Sequence, residues 1–129
     1  MKLQPDTSDV PSITGYGPGW IAVDGERIHD SVVIGSGGQR LEWHCARFSD
    51  LTAEHFSKLT ELDAELVIFG SGDHIRFPAP AWLAPLMTRR IGLETMDTKA
   101  ACRTYNILSG EGRKVVAALL IEIEAPRAV

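Results

Sequence analysis

The segment Glu94-Thr-Met-Asp-Thr-Lys-Ala-Ala-Cys-Arg-Thr-Tyr-Asn-Ile-Leu-Ser-Gly-Glu-Gly-Arg113, followed by Val115-Val-Ala-Ala-Leu-Leu-Ile121, constrains the fold more than any other part of the chain. Asp97 stands where an N-cap belongs, and the pattern predicts a helix from Thr98 to about Leu108 with Gly110 as its stop. The seven-residue apolar run is short, contains β-branched residues, and reads as a central strand covered on both faces. A strand end, a capped helix and a return into a buried strand make one unit of a layered α/β sheet.

The rest of the chain fits around that unit. Trp20–Val23 and Ile28–Ile34 flank Asp24-Gly25, a dipeptide suited to the positive φ angles of a tight hairpin turn. Gly35-Ser-Gly-Gly38 ends the second of these strands. Gln39–Trp43 reads as a further short strand with Leu41 and Trp43 on one face. A first helix is expected to start at the capping residue Thr52, with Glu54 in its first turn and Phe56, Leu59 and Leu62 on its inward stripe.

Leu66–Phe69 reads as a strand covered on both faces, broken by Gly70-Ser-Gly72. In Pro78-Ala-Pro-Ala-Trp-Leu-Ala-Pro-Leu-Met87, Pro85 would remove an internal amide, so the regular helix is expected to begin near it after an irregular turn. Gly92 ends that helix, and Leu93–Thr95 opens another strand. The expected organisation is a loose tail over residues 1–11, one domain over 12–124 and a C-terminal tail over 125–129.

Composition removes several function classes. At 129 residues the chain is one domain with enough length to bury a core. A net charge of −4 argues against a nucleic-acid surface, which tracks phosphates with a basic excess. Two cysteines, Cys45 and Cys102, are too few for a disulfide framework, so the expected compartment is the reducing cytoplasm. The N-terminal residues lack a signal-peptide layout, and no apolar run nears the roughly 20 residues of a membrane helix, so membrane insertion is not expected.

The candidate chemistry is sparse. Gly70-Ser-Gly72 after a strand suggests a phosphate loop, but the third glycine and a following Lys-Ser/Thr are missing, and a turn needing positive φ explains it as well. The histidines offer no metal spacing: His44 and Cys45 are adjacent in a strand and point to opposite faces. Cys102 lies where a helix dipole lowers a thiol pKa, yet it has no His or Asn partner at a recognisable spacing and reads as a packing residue. No catalytic residue, metal or cofactor is expected. Arg103 and Asn106 invite a role beyond packing: Arg103 toward backbone carbonyls or Glu111, Asn106 toward the loop leading into the last strand. Arg76 and Arg113 are of the same kind, able to grip a partner carboxylate or to lock loops.

These motifs carry a resemblance. Ile13-Thr-Gly-Tyr16 with the Trp20 strand, Gly70-Ser-Gly72 with Arg76-Phe-Pro78, and Met96–Asn106 with Glu111-Gly-Arg113 resemble the domain-of-unknown-function 498 family from about Ile13 to Ile123. Ser71 stands where many relatives have Thr, and Pro85 is an extra proline. The resemblance implies a three-layer α/β fold with a mixed central sheet, flanking helices and an extra N-terminal β portion. It implies no agreed enzymatic activity. Its mitochondrial members are associated with assembly of respiratory complex I through protein contacts.

The expected function is therefore a non-catalytic module that binds an unidentified protein partner and assists assembly or stability of a larger complex, respiratory or membrane-associated. A small-molecule or anion-binding protein, or a weak enzyme, is the alternative. The expected surface combines Gly70, Ser71, Gly72, Arg76, Asp97, Thr98, Arg103, Asn106 and Arg113, at strand ends where α/β sheets form crevices. Self-association through an exposed strand edge stays open.

Overall fold

The computed structural model describes residues 10–122, so the tail readings for 1–9 and 125–129 lie outside the described residues. Pro11, assigned by sequence to the tail, is buried, and its carbonyl accepts the Tyr105 hydroxyl at 2.7 Å.

β1 (Ile13–Gly17), β2 (Trp20–Val23) and β3 (Glu26–Ile28) form a three-stranded antiparallel sheet. Asp24 and Gly25 make the expected turn, with φ of 51° and 86°. The run Ile28–Ile34 is not one strand. β3 ends at Ile28, and β4 (Val32–Gly35) belongs to a second sheet. The crossing is pinned by Ser31, whose hydroxyl accepts the Ile121 amide at 2.8 Å and donates to the Ile121 carbonyl at 3.4 Å. The crossing segment His29-Asp30-Ser31 is polar, and its first two residues are exposed.

β5 (Arg40–Glu42) follows the glycine turn, with Trp43 buried and Leu41 42% exposed. α1 (Ala53–Ser57) continues as a 3₁₀ turn to Leu62, burying Phe56 and Leu59. Thr52 caps it in a capping box whose second member is His55, where Nδ1 accepts the Thr52 amide at 3.0 Å. β6 (Leu66–Gly70) comes next. Pro80–Leu83 forms a 3₁₀ turn, and α2 (Ala84–Thr88) then holds Pro85 in its first turn, where its missing N–H breaks no bond.

β7 (Gly92–Met96), α3 (Thr98–Gly110) and β8 (Val115–Leu119) complete the chain. The stop of α3 lies two residues beyond the expected Gly110, which is still helical. Gly112 takes φ 82°, and the Gly112 and Arg113 amides donate back to Ser109 at 3.1 Å and Leu108 at 3.0 Å.

The larger sheet has five strands in the order β5-β4-β8-β6-β7, with β6 parallel to both β7 and β8 and β4 antiparallel to both of its neighbours. Alternation along its strands builds two cores. Val115, Ala117, Leu119 and Ile68 face Ala101, Cys102 and Tyr105 of α3 together with Ile13, Ile21 and Val23 of the small sheet. Val116, Ala118, Val67 and Phe69 face Phe56, Leu59 and Leu86 on the α1–α2 side. The architecture is the expected three-layer α/β fold with its additional N-terminal β portion.

Cys102 is a packing residue. It is fully buried, and desolvation pushes its thiol from 9.0 up to about 12, outweighing the stabilising effect of Arg103 on the thiolate. Burial likewise raises the Tyr105 phenol from 10.0 to about 12. Both groups ionise more easily in the unfolded chain, so the stability they contribute is complete below their unfolded values and is lost as pH rises. The urea midpoint of unfolding is expected to fall progressively between pH 9.0 and about 12, and Cys102→Ala combined with Tyr105→Phe should flatten that fall.

Candidate functional site at the carboxyl ends of the parallel strands

β6, β7 and β8 run in the same direction and end level, at Gly70, Met96 and Leu119. Loops leaving such ends form a crevice. Here the β1–β2 turn, Tyr16–Ile21, stands across from the first turn of α3 and encloses a cleft of about 540 Å³. Gly72, Asp97 and Thr98 line it, with Lys99, His29 and Glu122.

Close packing dictates the glycine turn. A Cβ on Gly70 would lie 3.0 Å from the Thr98 Cα and 3.1 Å from the Ala101 Cβ, so only glycine lets α3 settle on the end of β6. Gly72 has φ 99°, and a Cβ there would meet the Arg76 guanidinium at 2.5 Å. Ser71 is fully buried between them. Its hydroxyl donates to the His74 carbonyl at 2.6 Å and lies 3.2 Å from the Met96 carbonyl, and it accepts the Arg76 amide at 2.9 Å. Thr98 ties the neighbouring ends together: its hydroxyl donates to the Leu120 carbonyl at 2.7 Å and accepts the Gly72 amide at 2.9 Å. The Asp97 carboxylate accepts the Ala100 amide at 2.9 Å as the expected N-cap.

Arg76 points inward. Its Nε and Nη2 donate to the Ser71 carbonyl at 3.1 and 2.6 Å, Nη2 also pairs with Glu122, and the guanidinium lies 4.8 Å from the Phe48 ring centre. Glu122 in turn accepts the Phe48 amide at 2.8 Å. The group is a lock that joins the glycine loop to the exit of β8.

Among the described residues Arg103 bonds neither a carbonyl nor Glu111. Its Nη1 donates to the Tyr16 hydroxyl at 2.8 Å across the α3–β1 seam, and this bond raises the guanidinium pKa. Asn106 holds the start of β1 rather than the loop after α3. Its side chain accepts the Ile13 amide at 2.9 Å and donates to the Ile13 carbonyl at 2.8 Å, imitating a neighbouring strand. Arg113 lies at the opposite pole, two residues before β8 begins, because β8 and β6 run parallel.

The structure thus brings Gly70, Ser71, Gly72, Arg76, Asp97 and Thr98 to one end of the sheet. Arg103 and Asn106 continue along the α3–β1 seam, and Arg113 stands apart. Sequence reasoning missed the β1–β2 turn as a wall, along with His29, Lys99, Asp73 and Glu122 as lining. One signal was present: Gly15 and Gly17 alternate on β1 beside Trp20, and a Cβ at Gly17 would lie 2.5 Å from the Trp20 indole nitrogen. Among the described residues no group of three or more His, Cys, Asp or Glu side chains gathers as a metal site. None of their buried side-chain nitrogen or oxygen atoms lacks a hydrogen-bond partner.

A mixed sheet carrying one long helix and a small antiparallel sheet on the same face defines a class of α/β protein. Solved structures share it. A Bordetella parapertussis protein is 36% identical with a TM-score of 0.83, over 88% of this chain and 97% of that one. A Bordetella pertussis protein described as an Mth938-like domain is 31% identical with a TM-score of 0.82, over 97% and 95%. The chain belongs to the family described as protein of unknown function (DUF498/DUF598), whose model matches residues 13–120. A curated Bos taurus relative, NADH dehydrogenase [ubiquinone] 1 alpha subcomplex assembly factor 3, is 37% identical over 82 residues, 62% of this chain and 45% of that protein. The match therefore spans less than half the length of that relative.

Two substitutions separate lock from bystander. Gly72→Ala forces a side chain into positive φ and against Arg76, and should cost about 1–3 kcal/mol in urea unfolding. Arg113→Ala, at the far pole, should stay within about 0.5 kcal/mol of the wild type.

Proposed function

We propose that the chain is a non-catalytic docking module that assists assembly or stability of a larger complex, respiratory or membrane-associated, and that its cleft seats a segment of a protein partner. The observation that carries this reading is the Arg103–Tyr16 pair, an exposed guanidinium held at the seam where the cleft wall meets α3. Arginine and tyrosine on fixed elements are effective anchors, because little side-chain freedom is lost on binding. The name of the bovine relative, a complex I assembly factor, supports an assembly role. The raised thiol pKa values of Cys45 and Cys102, both driven first by burial, make neither a ready nucleophile. No helix of the described residues is long and apolar enough to cross a membrane, which suits a module that reaches its complex from a reducing aqueous compartment such as the cytoplasm. Pairing of two copies along an open edge, β5 or β7, belongs to the same proposal and would appear as doubled mass in light scattering.

A second reading is favoured by the cleft volume of about 540 Å³, which is in the range of small-molecule sites. A phosphate- or carboxylate-bearing compound at 100 times its Kd would stabilise the fold by about 2.7 kcal/mol, visible as a thermal shift.

The test is affinity capture of the tagged protein from its native lysate under gentle membrane solubilisation, alongside Arg103→Ala. The variant should unfold at the wild-type urea midpoint and lose a discrete partner that the wild type retains. A partner held equally by both proteins would remove the cleft seam from the interface.

A further inference from the structure

The loop between Gly72 and Pro78 holds two large apolar side chains in solvent on a backbone fastened from beneath. Ile75 is 54% exposed and Phe77 70% exposed. Between them Arg76 turns inward to the Ser71 carbonyl and Glu122, and its own amide is held by the Ser71 hydroxyl. Pro78, on the other side of Phe77, is buried. Alternation in an extended segment sends the residues flanking an inward side chain outward.

A single exposed apolar residue needs no explanation. Two of them astride a latched arginine are different, because the fold has already ordered the loop that carries them. A partner that buries them gains apolar contact without the entropic cost of fixing a mobile segment. The loop adjoins the cleft, since Gly72 and Asp73 line it.

We propose that Ile75 and Phe77 are anchors that enter an apolar pocket on a partner protein, and that basic side chains rim this pocket. The charge around the loop selects that occupant. Arg76 and Glu122 neutralise each other, which leaves Asp73 and Asp97 lining the adjoining cleft against Lys99 as the one lysine or arginine among its described lining residues, a local excess of negative charge. With a net charge of −4, the chain would be repelled by an anionic bilayer surface. A two-fold contact at this loop would set the acids of one copy against the same acids of the other. A basic rim meets both conditions.

The proposal goes beyond the cleft reading, since the loop can dock whether or not the cleft is filled, and the two are tested apart. A photo-crosslinking amino acid is placed at position 75 of the full chain in its native host, with position 87 as control, because Met87 is also 70% exposed. Position 75 should yield a discrete adduct that position 87 does not, mapping to an apolar patch flanked by Lys or Arg. Phe77→Ala, with an unchanged urea midpoint, should weaken affinity for the purified crosslinked protein roughly thirtyfold. Asp73→Lys should weaken it as well, and added salt should reproduce that loss.

An adduct of twice the protein's own mass would overturn the proposal in favour of a second copy. Phe77-dependent sedimentation with phosphatidylglycerol vesicles would overturn it in favour of a membrane. Equal adducts at positions 75 and 87 would also overturn it. A position-75 adduct that persists in Arg103→Ala upholds the loop even where the cleft reading fails. Loss of that adduct in Phe77→Ala, with capture still dependent on Arg103, leaves the cleft reading standing and upholds the loop as a separate contact.

Discussion

β8 is the strand on which the other elements depend, because it alone joins the parallel and antiparallel halves of the large sheet. It must serve two cores at once. Val115, Ala117 and Leu119 pack under α3, while Val116 and Ala118 pack over the aromatic cluster of Trp43, Phe56 and Phe69. A charge at any of these positions would be buried without a partner, which protein interiors do not tolerate. The two alanines matter as much as the larger residues. Ala117 lets α3 approach from one side and Ala118 lets the α1–α2 layer approach from the other, and Ala101 and Cys102 of α3 share the core of Ala117 as small residues themselves.

The position of the cleft follows from that strand. Since β6, β7 and β8 run parallel, their last carbonyls and the amides beyond them emerge together at one pole. Buried backbone groups must be paired, and the chain pairs them with Ser71, Thr98 and Arg76 rather than with more sheet. The small sheet is moored to the same helix by Asn106 at Ile13, Tyr105 at Pro11 and Arg103 at Tyr16. The buried and part-buried bonds of Tyr105 and Asn106 hold the small sheet against α3, and hence the wall of the cleft. The Arg103 bond lies in solvent, where it adds little to that hold.

The parts of the fold that were legible in the sequence were those governed by local rules. Asp97 reads as a cap, Asp24-Gly25 as a positive-φ turn, and Pro85 as a delayed helix start, because each depends on a few neighbouring residues. The errors share a different cause. Ile28–Ile34 looks like one strand because only the short polar run His29-Asp30-Ser31 separates its apolar residues, and the Ser31–Ile121 bonds that mark the change of sheet span 90 residues. Gly110 and Gly112 compete as helix stops on equal local terms, and the pairing of Arg113 with Leu108 decides for the second. Arg113 reads with Arg76 as a guanidinium at a strand end, although strand direction puts it at the other pole. The glycine turn and α3 start were legible as a candidate site. The opposing wall was not, because it arrives from the far end of the chain.

The sequence leaves Arg76 two roles, gripping a partner carboxylate or locking loops, and its contacts within the chain are those of a lock. Guanidinium groups recognise carboxylates, so an arginine beside a glycine turn is naturally read as facing a partner. Here the carboxylate it recognises is Glu122 of its own chain, and the ring it covers is its own Phe48. The recognition is internal, and its product is a rigid loop. Rigidity then transfers to the residues on either side, which the alternation of an extended chain turns outward. In this molecule the polar network stabilises the scaffold, while exposed side chains sit one residue away from it: Ile75 and Phe77 beside Arg76, and Lys99 beside Thr98. A surface of that kind suits binding of a preformed partner, where affinity grows with the order already present before contact.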